Sequence, residues 1–302
     1  HARAPLRPHQ RAARRGDDRD MTPLATRIAT AAVLVPVVLV VLFWLPPVAW
    51  AVFTLLLAVQ SAREWSSLVS LSAPGRVAFV GGVAAIGVAL LVLAPPSAAD
   101  GWPLGVLLVA CGLATVFWLA VALPWVVRRW TPRSKAALTL AGAIALVGCW
   151  VALVELQVRS PWLVLAAMAI VWVADSAAYF AGRAFGKRKL APLVSPGKTW
   201  EGVWGGMLAV AVLAAALVPF ARASGYDGPL DAPAIAAWIV FAIALASLSV
   251  LGDLYESWMK RVAGVKDSGT LLPGHGGVLD RIDALLAAMP PAALAAHCLL
   301  NG

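Results

Sequence analysis

The chain has 302 residues, of which 61% are hydrophobic and 13% charged, with a mean hydropathy of +0.84. An ordinary soluble domain, with about 25% charged residues, is excluded by that composition. The formal net charge of +9 reads as Lys and Arg anchoring on the cytoplasmic side of a membrane, and no nucleic-acid partner is expected.

In chain order, residues 1–20 (HARAPLRPHQRAARRGDDRD) hold six basic and three acidic residues and begin with His, whereas Met21 opens an apolar run. Met21 is therefore the expected natural start, with 1–20 a disordered or non-native extension. Nine apolar runs follow, at about 28–45, 48–61, 77–94, 104–123, 136–156, 162–181, 203–220, 234–252 and 284–300. Most are long enough to cross a hydrocarbon core of roughly 30 Å as helix. The expected fold is all-α and polytopic, with about nine membrane helices and no separate soluble domain. Residues 21–160 form N-terminal helices and 161–302 a catalytic region with a polar site. With the N-terminus in the cytoplasm and nine crossings, all of the 24 Lys and Arg except Arg159 and Arg222 fall inside. The positive-inside rule thus predicts a multi-pass inner (plasma) membrane protein with its N-terminus and active site facing the cytoplasm. Cys111, Cys149 and Cys298 are far apart, lack metal-site spacing, and read as small apolar packing residues.

Two stretches break the monotony. In VWVADSAAYFAGRAFGKRKLAPLVSPGKTWEGVWGG, Asp175 lies inside an apolar helix, where an ionisable group costs a few kcal/mol and is functional by default. Ser195, Gly197, Lys198 and Thr199 have the composition of a phosphate-binding turn but not P-loop spacing. Lys187, Arg188 and Lys189 are explained as topogenic charges. The second stretch, Ser257 to Asp283 (SWMKRVAGVKDSGTLLPGHGGVLDRID), crowds Asp, Lys, Arg, His and Gly near the C-terminus. If helix continues past the eighth run, Asp253, Ser257 and Lys260 share one face. Asp280 and Asp283, three apart at the start of the last helix, share another, and Asp267 lies in a Gly-flanked loop.

Carboxylates converging at one membrane face repel unless cations neutralise them. Hard oxygen ligands suit Mg²⁺, held by one or two carboxylates plus substrate phosphates. Lys260, Arg261, Lys266 and Arg281 complement polyphosphate oxygens. Glycines 264, 269, 274, 276 and 277 permit tight turns and close approach of backbone N–H groups to an anion. His275 is either a phosphate donor or proton carrier, or a loop histidine bonded to backbone. A metal–polyphosphate site is the reading these residues share.

The motif S-x-M-K-R-x₄-K-D-S-G-x-L-L-P-G-H-G-G-x-L-D-R-I-D, from Ser257 to Asp283, closely resembles the signature of the CDP-diacylglycerol synthase (phosphatidate cytidylyltransferase) family. The upstream ADSAAYFAGRAFGKRKLAPLVSPGKTWEG resembles that family's other marked block, and REW at 63–65 is family-like. Ala177, where bacterial members often have Gly, is a mild departure. The resemblance covers about 110 residues of the C-terminal half and implies transfer of CMP from CTP to phosphatidate, giving CDP-diacylglycerol and pyrophosphate. It also implies an integral membrane enzyme requiring Mg²⁺, with room for a second cation, and a homodimer in the membrane lipid.

By motif, Asp253 and Asp280 match the family's metal-binding acids, and Asp283 and Asp267 its other important carboxylates. Asp253, Asp280 and Asp283 are the expected metal ligands; with Asp267, Lys260, Arg261 and His275 they are the expected catalytic set. Ser195, Lys198, Thr199, Lys266, Arg281 and Asp175 are the expected substrate contacts. The lipid phosphate is itself an anionic nucleophile, so the protein's task is positioning and charge stabilisation. Three rivals are weighed. A secondary transporter would carry inverted repeats, and none is visible. A CDP-alcohol phosphotransferase would carry D-G-x₂-A-R-x₈-G-x₃-D-x₃-D, which is absent. A cytidylyltransferase for another lipid phosphate shares every motif here.

Overall fold

The computed structural model describes residues 23–97, 101–128, 130, 134–223, 228, 230–271 and 276–301. Residues 1–20 and His275, both singled out in the sequence, lie outside the described residues. The described helices are α1 (Pro23–Trp44), α2 (Pro47–Leu68), α3 (Ala73–Leu93), α4 (Leu104–Arg128), α5 (Lys135–Arg159), α6 (Pro161–Phe185), α7 (Trp200–Ala223), α8 (Ala232–Ala263) and α9 (Leu279–Asn301). Their number and order match the nine apolar runs. Among the described residues, α3 to α9 are each long and apolar enough to cross a membrane. One feature is not all-α. Between α6 and α7 lies an antiparallel hairpin, β1 (Lys189–Ala191) and β2 (Ser195–Thr199), pairing Lys189 with Thr199 and Ala191 with Ser195.

The helix starts follow local chemistry. Side chains of Ser72, Ser134 and Asp231 accept hydrogen bonds from amides three residues on, at 3.0–3.3 Å, satisfying donors that the first turn leaves unpaired. Within α4, the stretches Leu108–Gly112 and Phe117–Ala122 widen to π-helix. The longest helix, α8, has 32 residues, about 48 Å at 1.5 Å per residue, against a hydrocarbon core of roughly 30 Å. The apolar run ends near residue 252, but the helix carries on to Ala263. It stops where Gly264 takes φ 71°, the left-handed conformation that glycine adopts without strain.

Tryptophans bind the N-terminal half together. The indole N–H groups of Trp50 and Trp65 on α2 donate to the carbonyls of Leu153 and Leu138 on α5, and Trp150 returns a bond to Ala51, all at 3.0–3.1 Å. Each bond satisfies a polar edge that burial would otherwise penalise. Tyr255 of α8 is fully buried among Trp65, Phe117, Trp118, Trp125 and Trp258, joining α2, α4 and α8. In the other half, Gly202 and Gly206 of α7 lie against the carbonyls of Ala178 and Ala174 on α6. A Cβ at either would come within 2.8 Å of those oxygens, so small residues set this close crossing. Cys111 and Cys149 are buried, as the apolar reading expects, while Cys298 is exposed.

Candidate active site

The emergent part of α8 carries its polar residues at helical spacing. Asp253 and Ser257 meet, the hydroxyl donating to Asp253 Oδ1 at 3.2 Å. One turn on, Lys260 forms an ion pair with Glu256, and its Nζ lies 2.6 Å from Asp280 Oδ1 at the start of α9. Lys260 is thus held between two carboxylates, one from each helix. The remaining oxygen of Asp280 accepts from the amide and hydroxyl of Ser268 (2.8 and 2.9 Å) and from the amide of Gly277 (2.8 Å). Gly276 turns the chain into α9 with φ 78°, and a Cβ there would fall 2.6 Å from Asp280 Oδ2.

A second glycine-dependent approach completes the geometry. Gly252 sits against the backbone of Asp283 and Ala284 and the methyl of Ala287, so that α8 and α9 cross closely. That contact brings Asp253 and Asp283 onto the wall of one cavity, which has a volume of about 420 Å³. Its wall holds Asp175 of α6, Asp253 and Lys260 of α8, Asp267, and Asp280, Arg281 and Asp283 of α9. Val171, Trp172, Ala284 and Leu285 give it an apolar side formed by two of the spanning helices.

The hairpin supplies a further cation. Lys198 on β2 reaches Asp253 Oδ2 at 2.6 Å. The hairpin is fixed at three points. Arg261 of α8 donates through Nε to the Val194 carbonyl at its turn (3.3 Å). Glu201 of α7 accepts from the amides of Lys187 and Arg188 (both 3.1 Å). Thr199 is buried, its hydroxyl accepting from the Gly202 amide at 3.1 Å to cap α7.

Of the sequence-predicted residues, Asp175, Asp253, Lys260, Asp267, Asp280, Arg281 and Asp283 meet at this cavity, and Lys198 joins them through Asp253. Ser195, Thr199, Arg261 and Lys266 lie outside its wall. One acid escaped the sequence reading, and a second entered it only as part of the family-like REW, without a role. Glu256 precedes Lys260 by one helical turn, a spacing that i,i+4 pairing makes visible. Glu64 in α2 is buried and accepts from the amides of Val278 and Leu279 at the start of α9, at 3.1 and 2.7 Å. Its local signals are the REW motif and an acid interrupting an apolar helix.

The wall carries five carboxylates against two cations, with Lys198 at its edge. Among the described residues, Asp175 and Asp283 have no ion pair. Nor do three or more acidic, His or Cys side chains there form a ready-made metal cage. Hard oxygen donors from different elements, in excess of cations, fit a divalent ion that keeps positions open for substrate oxygens.

The model of the Cytidylyltransferase family matches residues 25–299. Phosphatidate cytidylyltransferase of Pseudomonas aeruginosa is 44% identical over 273 residues, spanning 88% of this chain and 94% of the relative. The enzyme of the same name from Brucella suis is 38% identical over 277 residues, spanning 89% and 91%. That of Haemophilus influenzae is 55% identical over 129 residues, 43% of each chain. With the fold, the cavity and a match along nearly the whole sequence in agreement, this chain belongs to the cytidylyltransferase family.

Proposed function

We propose that this protein transfers CMP from CTP to phosphatidate, releasing pyrophosphate and leaving CDP-diacylglycerol in the bilayer. The observation that carries the reading is an acidic, lysine-flanked cavity whose other side is the apolar surface of two spanning helices. An amphipathic substrate fits it, with acyl chains along Val171, Trp172, Ala284 and Leu285 and its phosphate among the charges. A cavity with excess carboxylates receives two polyanions only with metal cations between them. Asp253, Asp280 and Asp283, with Asp267 beside them, would hold Mg²⁺, which when bound supplies neutralising charge for the phosphates.

In the reaction a phosphatidate oxygen forms a bond to the α-phosphorus of CTP as the bond from that phosphorus to the bridging oxygen of pyrophosphate breaks. The nucleophile is already deprotonated, so no Ser-His-Asp arrangement is required. What the chain provides is positioning and charge. Lys198, Lys260 and Arg281 face the phosphates, and Asp175 borders the lipid side. Arg261 and Thr199 act through the hairpin, fixing the strand that presents Lys198. Ser195 and Lys266 meet the nucleotide at the rim. The site faces the cytoplasm of the inner membrane, where CTP is available, in keeping with the Lys and Arg distribution along the chain.

The test is purified protein in detergent with phosphatidate and cytidine-labelled CTP. Label is expected in the lipid extract with Mg²⁺ and not after chelation. Absence of lipid-borne label under both conditions rules the reaction out, and equal labelling after chelation removes the metal from it.

A further inference from the structure

We infer that Glu64, from the N-terminal half of the chain, is a positioning residue of the active site, anchoring the start of α9 and through it Asp280. The inference rests on the cytidylyltransferase reading for its kinetic consequence and on geometry alone for the anchoring itself. Glu64 is one of the few acids buried among the described residues, and its carboxylate faces four hydrogen-bond donors. Oε1 accepts from the amide of Val278 (3.1 Å) and from Gln60 Nε2 (2.9 Å). Oε2 accepts from the amide of Leu279 at 2.7 Å, with the Ser268 hydroxyl at 3.2 Å. Val278, immediately before α9, has no polar side chain with which to cap it. A carboxylate over 200 residues away in sequence fills that role, where the helix dipole also favours negative charge.

The link to chemistry runs through Ser268. Its hydroxyl lies between the two carboxylates, 3.2 Å from Glu64 and 2.9 Å from Asp280. Glu64 and Asp280 therefore share one collar of donors, Glu64 holding the amides of Val278 and Leu279 and Asp280 those of Ser268 and Gly277. Two signature glycines make room for it. A Cβ on Gly269 would fall 2.9 Å from Glu64 Oε1, and one on Gly277 would overlap both Oε2 and the Ser268 hydroxyl. The anion these glycines approach is the protein's own. Displacing Glu64 frees Ser268 and the turn at 276–279, and Asp280 loses the register that sets it opposite Lys260.

The test is Glu64→Gln, nearly isosteric, with an amide –NH₂ that must face at least one backbone N–H. Hydrogen–deuterium exchange is read first. Exchange across 276–283 is expected to rise at least tenfold, with the other helices unchanged. In turnover, KM for CTP is expected to rise at least fivefold while KM for phosphatidate stays within twofold. A smaller folded fraction would move neither KM. Unchanged exchange at 276–283, a uniform rise over the whole protein, or a local rise with both KM values at wild type each overturn the inference. Should Glu64→Gln fail to fold, Ser268→Ala cuts the same link with Glu64 in place, and the same local pattern is required of it. Wild-type protein that makes no CDP-diacylglycerol would refute the reaction, while exchange would still decide the anchoring.

Discussion

Asp280 divides its two oxygens: Oδ1 faces Lys260 and the cavity, with a lone pair left for a cation, and Oδ2 takes two amides and a hydroxyl. In Asp280→Asn the single remaining oxygen must serve the three donors at Oδ2, because an –NH₂ there would leave them unpaired. The amide nitrogen then points at Lys260 Nζ, whose charge retains only Glu256. An unsatisfied buried donor costs about 1–3 kcal/mol, which a folded chain of this size tolerates. The negative charge that would hold Mg²⁺ is gone altogether. We expect the variant to insert and to elute as wild type in detergent, with lipid-extractable cytidine label reduced at least 100-fold. Turnover within threefold of wild type would remove Asp280 from the metal-holding set. Lys198 is the milder case, since its pair with Asp253 is partly exposed and therefore screened.

At the scale of elements, the site depends on how closely α8 crosses α9. Gly252→Val places a branched side chain where the backbone of Asp283 and Ala284 now lies. Overpacking of this kind costs about 1–3 kcal/mol. It also pushes Asp283 away from Asp253. A lower thermal midpoint in detergent, with activity lost below that midpoint, is the expected result, and an unchanged midpoint would mean that the crossing is looser than its geometry. Which parts of this arrangement are legible in the sequence follows from where the determining contacts lie. Spacings of four and three put Asp253, Ser257 and Lys260 on one helix face, and spacing three does so for Asp280 and Asp283, because helix periodicity is local. The hairpin has no such signal. KRKLAPLVSPGKTW shows neither period-two alternation nor a two-residue turn, and its shape is held by Glu201, Thr199 and Arg261 from outside or at its edge. The role of Glu64 is hidden for the same reason: REW marks the residue, but its partners lie at the other end of the chain.

Across the whole molecule, the two exceptions to the positive-inside pattern have structural explanations. Arg159 is not a loose surface charge: its Nε lies 2.6 Å from the buried carboxylate of Glu155, which also accepts from the Trp102 amide (2.7 Å) and contacts His297 (3.2 Å). Arg222 donates to the Leu230 carbonyl at 3.3 Å. His297 lies 17 residues beyond Asp280 on α9, roughly 25 Å along the axis, so the Glu155 network marks the end of the bundle opposite the cavity. The proposed orientation can therefore be tested with two positions. Lys266, exposed between α8 and α9, belongs to the cavity end, and Pro95, exposed just after α3, to the other. In a Cys298→Ala background, Lys266→Cys should react with a membrane-impermeant maleimide only in inside-out vesicles, and Pro95→Cys only in right-side-out vesicles. Labelling of both from one side would contradict the five crossings, α4 to α8, that separate them. The reverse pattern would put the charged cavity on the face without CTP, and the proposed reaction could not be supplied there.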